Sequence, residues 1–215
     1  MQSTAYLSKA AIGIAYLVLS KGYTKYEPLL DALVKNLTNN VSKCGMLKSY
    51  KEPGRFHFHP VLYAVEAAFS LGDILGESYL TKLAIDNLDL IFKYQSSKGE
   101  LPSLIWDDKP VYAFRSDIQF QAIRMGLVMD RKMEINKYRS NTEKGIDFVI
   151  NNYLWTNKKE AAVWYGIDAE PIGNIAPIRR KHLNTRATMF GIQTLNLYHN
   201  TEAINFLLKN QTYIV

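Results

Sequence analysis

The chain has few of the features that would place it in a disulfide-rich, metal-clustered or membrane-spanning class. Cys44 is the only cysteine among 215 residues, so no intrachain disulfide and no thiolate metal cluster is expected. The most apolar stretch, AAIGIAYLVL, is about half the length that a membrane span requires. The beginning, MQSTAYLSKA, lacks the basic region and cleavage site of a signal peptide. These absences predict a globular protein of the cytoplasm.

The common catalytic motifs are also missing. The sequence contains no G-x-x-x-x-G-K-[ST] loop, no G-x-G-x-x-G turn, no H-E-x-x-H and no G-x-S-x-G. P-loop nucleotide hydrolysis, Rossmann redox chemistry and zincin proteolysis are therefore disfavoured. His57, His59 and His182 lack the further ligands at suitable spacing that a zinc site needs, so we expect no metal and no cofactor.

The charge of the chain is positive but dispersed. A net charge of +6 suits an anionic partner such as a uronic-acid glycan or a nucleotide-sugar. Only IRRKH, residues 178–182, forms a compact basic cluster, and no aromatic RNA-binding signature accompanies it. A carbohydrate or nucleotide-sugar ligand is thus favoured over nucleic acid.

What the sequence does contain is a repeated pair of segments. Four apolar segments with a 3.6-residue period are each followed by a more amphipathic one, and Gly22, Gly72 and Gly76 lie in the breaks. The apolar segments span 4–21, 59–73, 116–130 and 184–199, and the amphipathic ones 25–39, 78–95, 140–153 and 201–209. This pattern predicts an all-α fold of about four helical hairpins in a single domain, residues 1–215.

The segments that begin HPVLYAVE, RSDIQFQAIR and LNTRATMFGIQTL, with long Gly-x-Leu returns between hairpins, resemble the (α/α) toroid proteins. That group includes six-hairpin carbohydrate enzymes (glucuronyl hydrolases, sugar epimerases and polysaccharide lyases) and the terpenoid cyclase and prenyltransferase barrels. A complete toroid of this kind has six hairpins. About four hairpins imply an open partial toroid, a truncated relative, or a subunit that closes against a second copy or another partner.

Polar residues recur on one face of three of the apolar helices. Positions i, i+4 and i+7 return to within about 20° on a helix, so each trio forms one stripe. The trios are His59, Tyr63 and Glu66; Asp117, Gln121 and Arg124; and Arg186, Phe190 and Gln193. If these helices surround an axis, the first members of the stripes meet at one end with the long returns. The competing interpretation is structural, with Glu66 paired to Arg124 and the glutamines as satisfied core amides.

Five residues are candidates for catalysis. His59 titrates near neutrality and is suited to moving the proton α to a uronate carboxylate, with Tyr63 one helical turn away as an acid. Asp117, together with Asp107 or Asp108, provides the two carboxyl groups that glycoside hydrolysis needs. The alternatives are a histidine that closes the loop, a helix cap at Asp117, and a solvated acidic turn at 107–108.

Six residues are candidates for substrate binding. Arginines are suited to holding a sugar carboxylate, and aromatic rings to stacking on a sugar. The six are His57, Trp106, Arg115, Trp164, Tyr165 and Arg186. The aromatic residues of WYGIDAEPIGN, which also holds Asp168 and Glu170, equally suit a small core of the loop itself. Glu100 is expected on the surface.

The preferred function is a carbohydrate-active protein that acts on an acidic sugar or glycan as a hydrolase, epimerase or lyase. A non-catalytic helical-repeat module that binds a protein or glycan is the alternative from another class. A terpenoid cyclase or prenyltransferase barrel is the third. The sequence lacks the acidic D-x-D-D pattern of the cyclases and the zinc-ligand cysteine of the prenyltransferases, which disfavours it.

Overall fold

The structure is a computed structural model that describes residues 5–48, 54–112, 115–156, 160–164, 183–200, 202–203 and 205. The chain divides into two compact units. The first holds the described residues up to Leu90, and the second holds those from Ile91 onwards. Among the described residues, no helix combines the length and apolarity needed to cross a membrane.

The first unit is built from helices. A 3-10 helix, Ala5–Lys9, leads into α1, and a second 3-10 helix, Thr24–Tyr26, leads into α2. The elements in order are α1 (Ala10–Lys21), α2 (Glu27–Asn39), strand β1 (Arg55–His57), α3 (Phe58–Leu75) and α4 (Ser78–Lys93), which crosses into the second unit. The first 3-10 helix and α1 both pack against α3.

Two glycines and a proline explain where the helices of the first unit begin and end. Gly22 after α1 and Gly76 after α3 have positive φ angles of 68° and 71°, the left-handed conformation in which glycine commonly ends a helix. Pro60 lies in the first turn of α3, where a missing N–H costs no helical hydrogen bond. The chain therefore turns sharply after α1 and α3.

The second unit alternates helices with short hairpins. Its elements are β2 (Leu104–Trp106), β3 (Lys109–Val111), α5 (Ser116–Lys132), α6 (Arg139–Asn152), β4 (Leu154–Thr156), β5 (Ala161–Val163) and α7 (Thr185–His199). Strand β2 pairs antiparallel with β3, and β4 pairs antiparallel with β5. Helix α5 packs against both α6 and α7, around a core that includes Phe120, Tyr153 and Phe190.

The predicted helical pattern is confirmed. Three of the four expected hairpins are present as α1–α2, α3–α4 and α5–α6, and α7 is the apolar member of the fourth. Most of its amphipathic partner, 201–209, lies outside the described residues. The prediction missed the two β-hairpins, which lie in returns that the sequence analysis treated as loops. Three-residue strands are too short to produce a recognisable period-2 pattern.

Close packing of α5 on α6 depends on Gly126. A Cβ atom at this position would lie 2.7 Å from Cγ2 of Thr142 and 3.2 Å from Cβ of Tyr138. We expect Gly126→Ala to lower the free energy of unfolding by about 1 to 3 kcal/mol, because the two helices must move apart. Chemical denaturation measures this change.

Gly13 in α1 is the matched control. A Cβ atom there would meet no atom within 4 Å, so Gly13→Ala is expected to raise stability by about 0.5 to 1 kcal/mol through helix propensity. Equal effects of the two substitutions would contradict the packing argument.

Candidate functional site

The polar stripe of α3 is formed as the sequence predicts. The ring centroids of His59 and Tyr63 lie 4.7 Å apart in an edge-to-face arrangement. The Lys9 ammonium, at the end of the first 3-10 helix, lies 4.4 Å from the Tyr63 ring centroid. The same Nζ atom is 2.9 Å from Oε2 of Glu66, whose side chain is only 1% exposed. One cation thus joins two members of the stripe.

Lys9 is the partner of Glu66 that the sequence analysis missed. It predicted a Glu66–Arg124 pair, but Arg124 belongs to the second unit, and that pair stays a prediction. A buried carboxylate requires a partner because losing its hydration costs several kcal/mol. A single lysine just ahead of the most apolar segment was the available signal. Sequence spacing alone did not indicate which helix face it would meet.

The first turn of α5 holds Asp117 firmly. Nε and Nη2 of Arg115 donate to its two carboxylate oxygens, and the Ile118 N–H donates to Oδ1 at 3.0 Å. The Asp117 side chain is buried, whereas the Arg115 side chain is 24% exposed. Asp117 is thus held by Arg115 and by one helix N–H. The guanidinium lies between a buried carboxylate and solvent.

The stripes of α5 and α7 meet within the second unit. Nη1 of Arg124 donates to Oε1 of Gln193 at 2.9 Å, and the guanidinium lies 5.5 Å from the Phe190 ring centroid. The Thr194 hydroxyl donates to the Phe120 carbonyl at 3.1 Å. Gln193 therefore contributes to holding α5 and α7 together, as the structural interpretation expected.

Arg186 lies in the first turn of α7 and is exposed. Asn184 caps this helix, because its side-chain oxygen accepts from the Ala187 N–H at 3.0 Å. A guanidinium in this position is accessible to an anion. Its proposed contact with a sugar carboxylate stays a prediction.

Asp107 and Asp108 form the turn between β2 and β3. Both are exposed, and both have positive φ, at 47° and 61°. These angles fit the two-residue turn whose twist matches that of antiparallel strands, and aspartate tolerates them. Trp106 is partly buried against Leu104 and Val111. The acidic turn that the sequence analysis weighed against catalysis is thus formed, and the catalytic role of the pair stays a prediction.

The other candidate binding residues lie at the ends of the long connections between helices. His57 precedes α3 in extended conformation and is partly buried. Trp164 is partly buried against the core of the second unit, and its backbone N–H donates to the Tyr153 carbonyl at 2.9 Å. Tyr165 lies outside the described residues, as do Asp168, Glu170 and His182. The described part of the chain contains no group of three or more His, Cys, Asp or Glu arranged to hold a metal ion.

Glu100 is more buried than the sequence analysis expected. The turn before it is fixed because the Gln95 amide donates to the carbonyls of Gly99 and Asn141, each at 3.0 Å. Gly99 has a φ of 93°, and a Cβ atom there would lie only 2.0 Å from the Lys144 carbonyl oxygen. This turn therefore lies directly on α6, so Glu100 is only partly exposed.

Burial changes the acid–base properties around Glu100. It raises the pKa of Glu100 from 4.5 to about 7, and the nearby charge of Lys98 opposes the rise. Burial, and then the charges of Glu100 and Asp117, raise the pKa of Tyr153, so this phenol keeps its proton at neutral pH. The second unit thus holds a carboxyl group that titrates near neutrality, the property sought in a general acid or base.

The ion pair of Lys9 and Glu66 generates a stability prediction. We expect Lys9→Met to lower the free energy of unfolding by about 3 kcal/mol, since it removes the cation from a buried carboxylate. The control is Lys82→Met, which breaks the exposed pair with Asp86 and should change stability by less than about 1 kcal/mol. Urea denaturation of both variants provides the comparison, and similar losses would contradict the assigned role of Lys9.

The pKa of Glu100 generates a pH prediction. Between pH 4.5 and about 7 the folded state binds more protons at Glu100 than the unfolded state does. The wild-type protein should therefore lose stability relative to Glu100→Gln as pH rises through this window, and the difference should stay constant above it. Unfolding curves from pH 4 to 8 test this, with the exposed Glu134→Gln as the control. Parallel curves for wild type and Glu100→Gln would rule out the shifted pKa.

Comparisons with known proteins identify the fold. No family model and no curated protein matches the sequence. Among solved structures, a D-mannose isomerase matches with a TM-score of 0.71 and 14% identity, over 98% of this chain and 57% of that one. A protein described as a novel alpha-amylase from Clostridium perfringens matches with a TM-score of 0.58 and 9% identity, over 97% of this chain and 60% of that one. This chain thus spans less than two thirds of either. Both neighbours are helical toroids, and the chain has the helical-hairpin fold of the (α/α) toroid proteins.

Proposed function

We propose that the chain acts on a carbohydrate, specifically an acidic sugar or glycan, as a hydrolase, epimerase or lyase. The observation that carries the proposal is the fold likeness to a D-mannose isomerase over 98% of the chain. The second neighbour is described as an alpha-amylase, which is also a carbohydrate enzyme. The net charge of +6 favours an acidic member of this substrate class. We propose the cytoplasm as the location of this activity.

In the first unit, the proposed proton-transfer groups are His59 and Tyr63, with His57 nearby in sequence as a binding residue. The two rings are in contact, so the two proposed proton-transfer groups lie side by side. Lys9 lies 4.4 Å from the Tyr63 ring centroid, a cation–π contact that helps to hold the ring beside His59. These residues have the chemistry to transfer the proton α to a uronate carboxylate.

In the second unit, the proposed carboxylate is Asp117, with Asp107 or Asp108 as the second carboxyl group if the reaction is hydrolysis. Arg115 anchors Asp117 and retains an exposed surface, so it also suits contact with an anion. Arg186 is the freely accessible cation proposed to bind a sugar carboxylate.

Three aromatic residues are proposed to form stacking surfaces for sugar rings. Trp106 and Trp164 are partly buried, so each has one part packed in the protein and another part accessible. Aromatic side chains supported in this way lose little conformational freedom when a ligand binds. Tyr165 follows Trp164 in the sequence and is proposed for the same role.

A non-catalytic module is the second candidate function, and one observation favours it. Met189 and Ile192 of α7 are 40% and 66% exposed, although the helix packs its other face on α5. In repeat folds such an apolar face is covered by the next repeat. We propose that helical hairpins of a partner subunit cover it, as the next repeat does in those folds.

A thermal-shift series tests the carbohydrate proposal. Uronic acids, D-mannose, oligosaccharides and nucleotide-sugars are added to the wild-type chain and to His59→Ala and Asp117→Asn. A ligand at 100 times its Kd should stabilise the wild type by about 2.7 kcal/mol, a rise of several degrees in Tm. His59→Ala should lose most of this rise if the sugar binds in the first unit, and Asp117→Asn if it binds in the second. Absence of stabilisation by every sugar would remove the support for a carbohydrate function.

The partner proposal is tested separately. Ile192→Asp should leave the Tm almost unchanged, because the side chain is exposed, but should reduce any association measured by light scattering. The matched control is Leu29→Asp, at a 48% exposed site in the first unit. A partner surface on α7 is contradicted if both substitutions alter association equally.

A further inference from the structure

A cleft in the second unit lies at the opposite end of α5 from Asp117. Its walls come from the end of α5, the start of α6, the end of α7 and Asn205. Its volume is about 880 Å³, within the range of roughly 300 to 1,000 Å³ that small-molecule sites occupy. Asp130, which lines the cleft, follows Asp117 by thirteen positions on α5, a rise of about 20 Å. The cleft is therefore separate from the candidate site at the start of that helix.

The turn that ends α5 places a carboxylate in the cleft where glycine is the usual residue. The N–H of Ile135 donates to the Asp130 carbonyl at 2.9 Å, and the N–H of Glu134 donates to the Arg131 carbonyl at 3.3 Å. This pair of bonds needs a left-handed residue between helix and loop, and Glu134 takes that place with a φ of 54°. Glycines take it after α1 and α3. A glutamate costs stability here that glycine would not, which indicates a role beyond ending the helix.

Two arginines line the cleft with unused hydrogen-bond donors. Nε of Arg131 donates to Oδ1 of Asn205 at 3.0 Å, and Nε of Arg139 donates to Oε1 of Glu143 at 2.9 Å. Each bond holds a guanidinium by one edge. The terminal amino groups of both arginines have no partner within the described part of the chain. Most N–H donors of each side chain thus remain for a ligand.

The charges of the cleft cancel. Its ionised side chains are three cations and three acids, namely Arg131, Lys132 and Arg139 against Asp130, Glu134 and Glu143. A sugar carboxylate therefore finds no excess of positive charge there. Tyr198 of α7, which is 36% exposed, adds an aromatic ring to the wall. Donors, acceptors and an aromatic ring without net charge are suited to an uncharged ring with several hydroxyl groups.

We propose that this cleft is a second carbohydrate site, which binds an uncharged sugar unit. Arg131 donates to its hydroxyl groups, Glu134 accepts from them, and Tyr198 stacks on the ring. This inference rests on the proposed carbohydrate function and adds a place that the function does not use. One sugar ring cannot reach both the cleft and Asp117, about 20 Å apart. The substrate class is consequently a glycan of several sugars, with uncharged units among them.

Calorimetric titration with three trisaccharides tests the proposal. Mannotriose and maltotriose are neutral, and trigalacturonate is acidic. At least one neutral trisaccharide should bind the wild type, with the same affinity at low and high salt. Tyr198→Ala and Arg131→Met should each weaken this binding about three- to tenfold, through loss of one aromatic contact or one hydrogen bond. The matched control is Tyr79→Ala, at a 49% exposed tyrosine of the first unit, which should bind as the wild type does.

Glu134→Gly separates a binding role from a structural one. It should raise the Tm by about 1 to 3 °C, because glycine adopts the left-handed conformation without strain. It should also weaken binding of the neutral trisaccharide about three- to tenfold, because an acceptor is lost. A lower Tm with unchanged affinity would assign Glu134 to the helix ending alone and contradict its place in the site.

The remaining outcomes distinguish this inference from the proposed function. If trigalacturonate alone binds the wild type, the second site is overturned and the proposed function stands. If no trisaccharide binds, both lose their support. Neutral binding that is lost in Asp117→Asn but retained in Tyr198→Ala and Arg131→Met belongs to the candidate site, and overturns this inference alone.

Discussion

Helices buried along most of their length must satisfy their polar side chains within the protein, and this constraint organises both units. Helix α3 carries Glu66 and helix α5 carries Asp117, each nearly inaccessible to water. A carboxylate in such a place is tolerated only with a cation or several donors beside it. Lys9 supplies the cation to Glu66, and Arg115 supplies it to Asp117. The first pair fixes the first 3-10 helix against α3, and the second fixes the chain where α5 begins.

The need to satisfy buried polar side chains also fixes the connections between helices. Buried amides in helices hold the adjoining loops: Asn87 accepts from the Leu47 N–H at 2.7 Å and donates to the Gly45 carbonyl at 3.2 Å. Gln95 and Gln119 bind the backbone on either side of Glu100 in a comparable way. Long connections in a compact protein are expensive to order, and these side chains offset part of that cost. The backbone at Gly45 and around Glu100 is consequently held by side chains.

Much of the fold follows from spacing in the sequence. The 3.6-residue period and the glycines at 22 and 76 indicated where α1 and α3 lie, and the i, i+4, i+7 spacing indicated that His59 would contact Tyr63. The Arg115–Asp117 contact is also local, because the two residues are two positions apart at the start of α5. The hairpin at Asp107 and Asp108 could be predicted from the sequence only as an acidic turn. Its three-residue strands carry no periodic signal of their own.

The sequence by itself determined the helical pairs, the residues that share a helix face, and the turns that need left-handed backbone, since all of these depend on neighbours within a few positions. Tertiary structure decided which distant side chains meet. It brought Lys9 to Glu66 and Asn141 to Gln95, pairs separated by more than forty positions. It also decided the pKa of Glu100, because burial depends on packing, which local residue order does not encode.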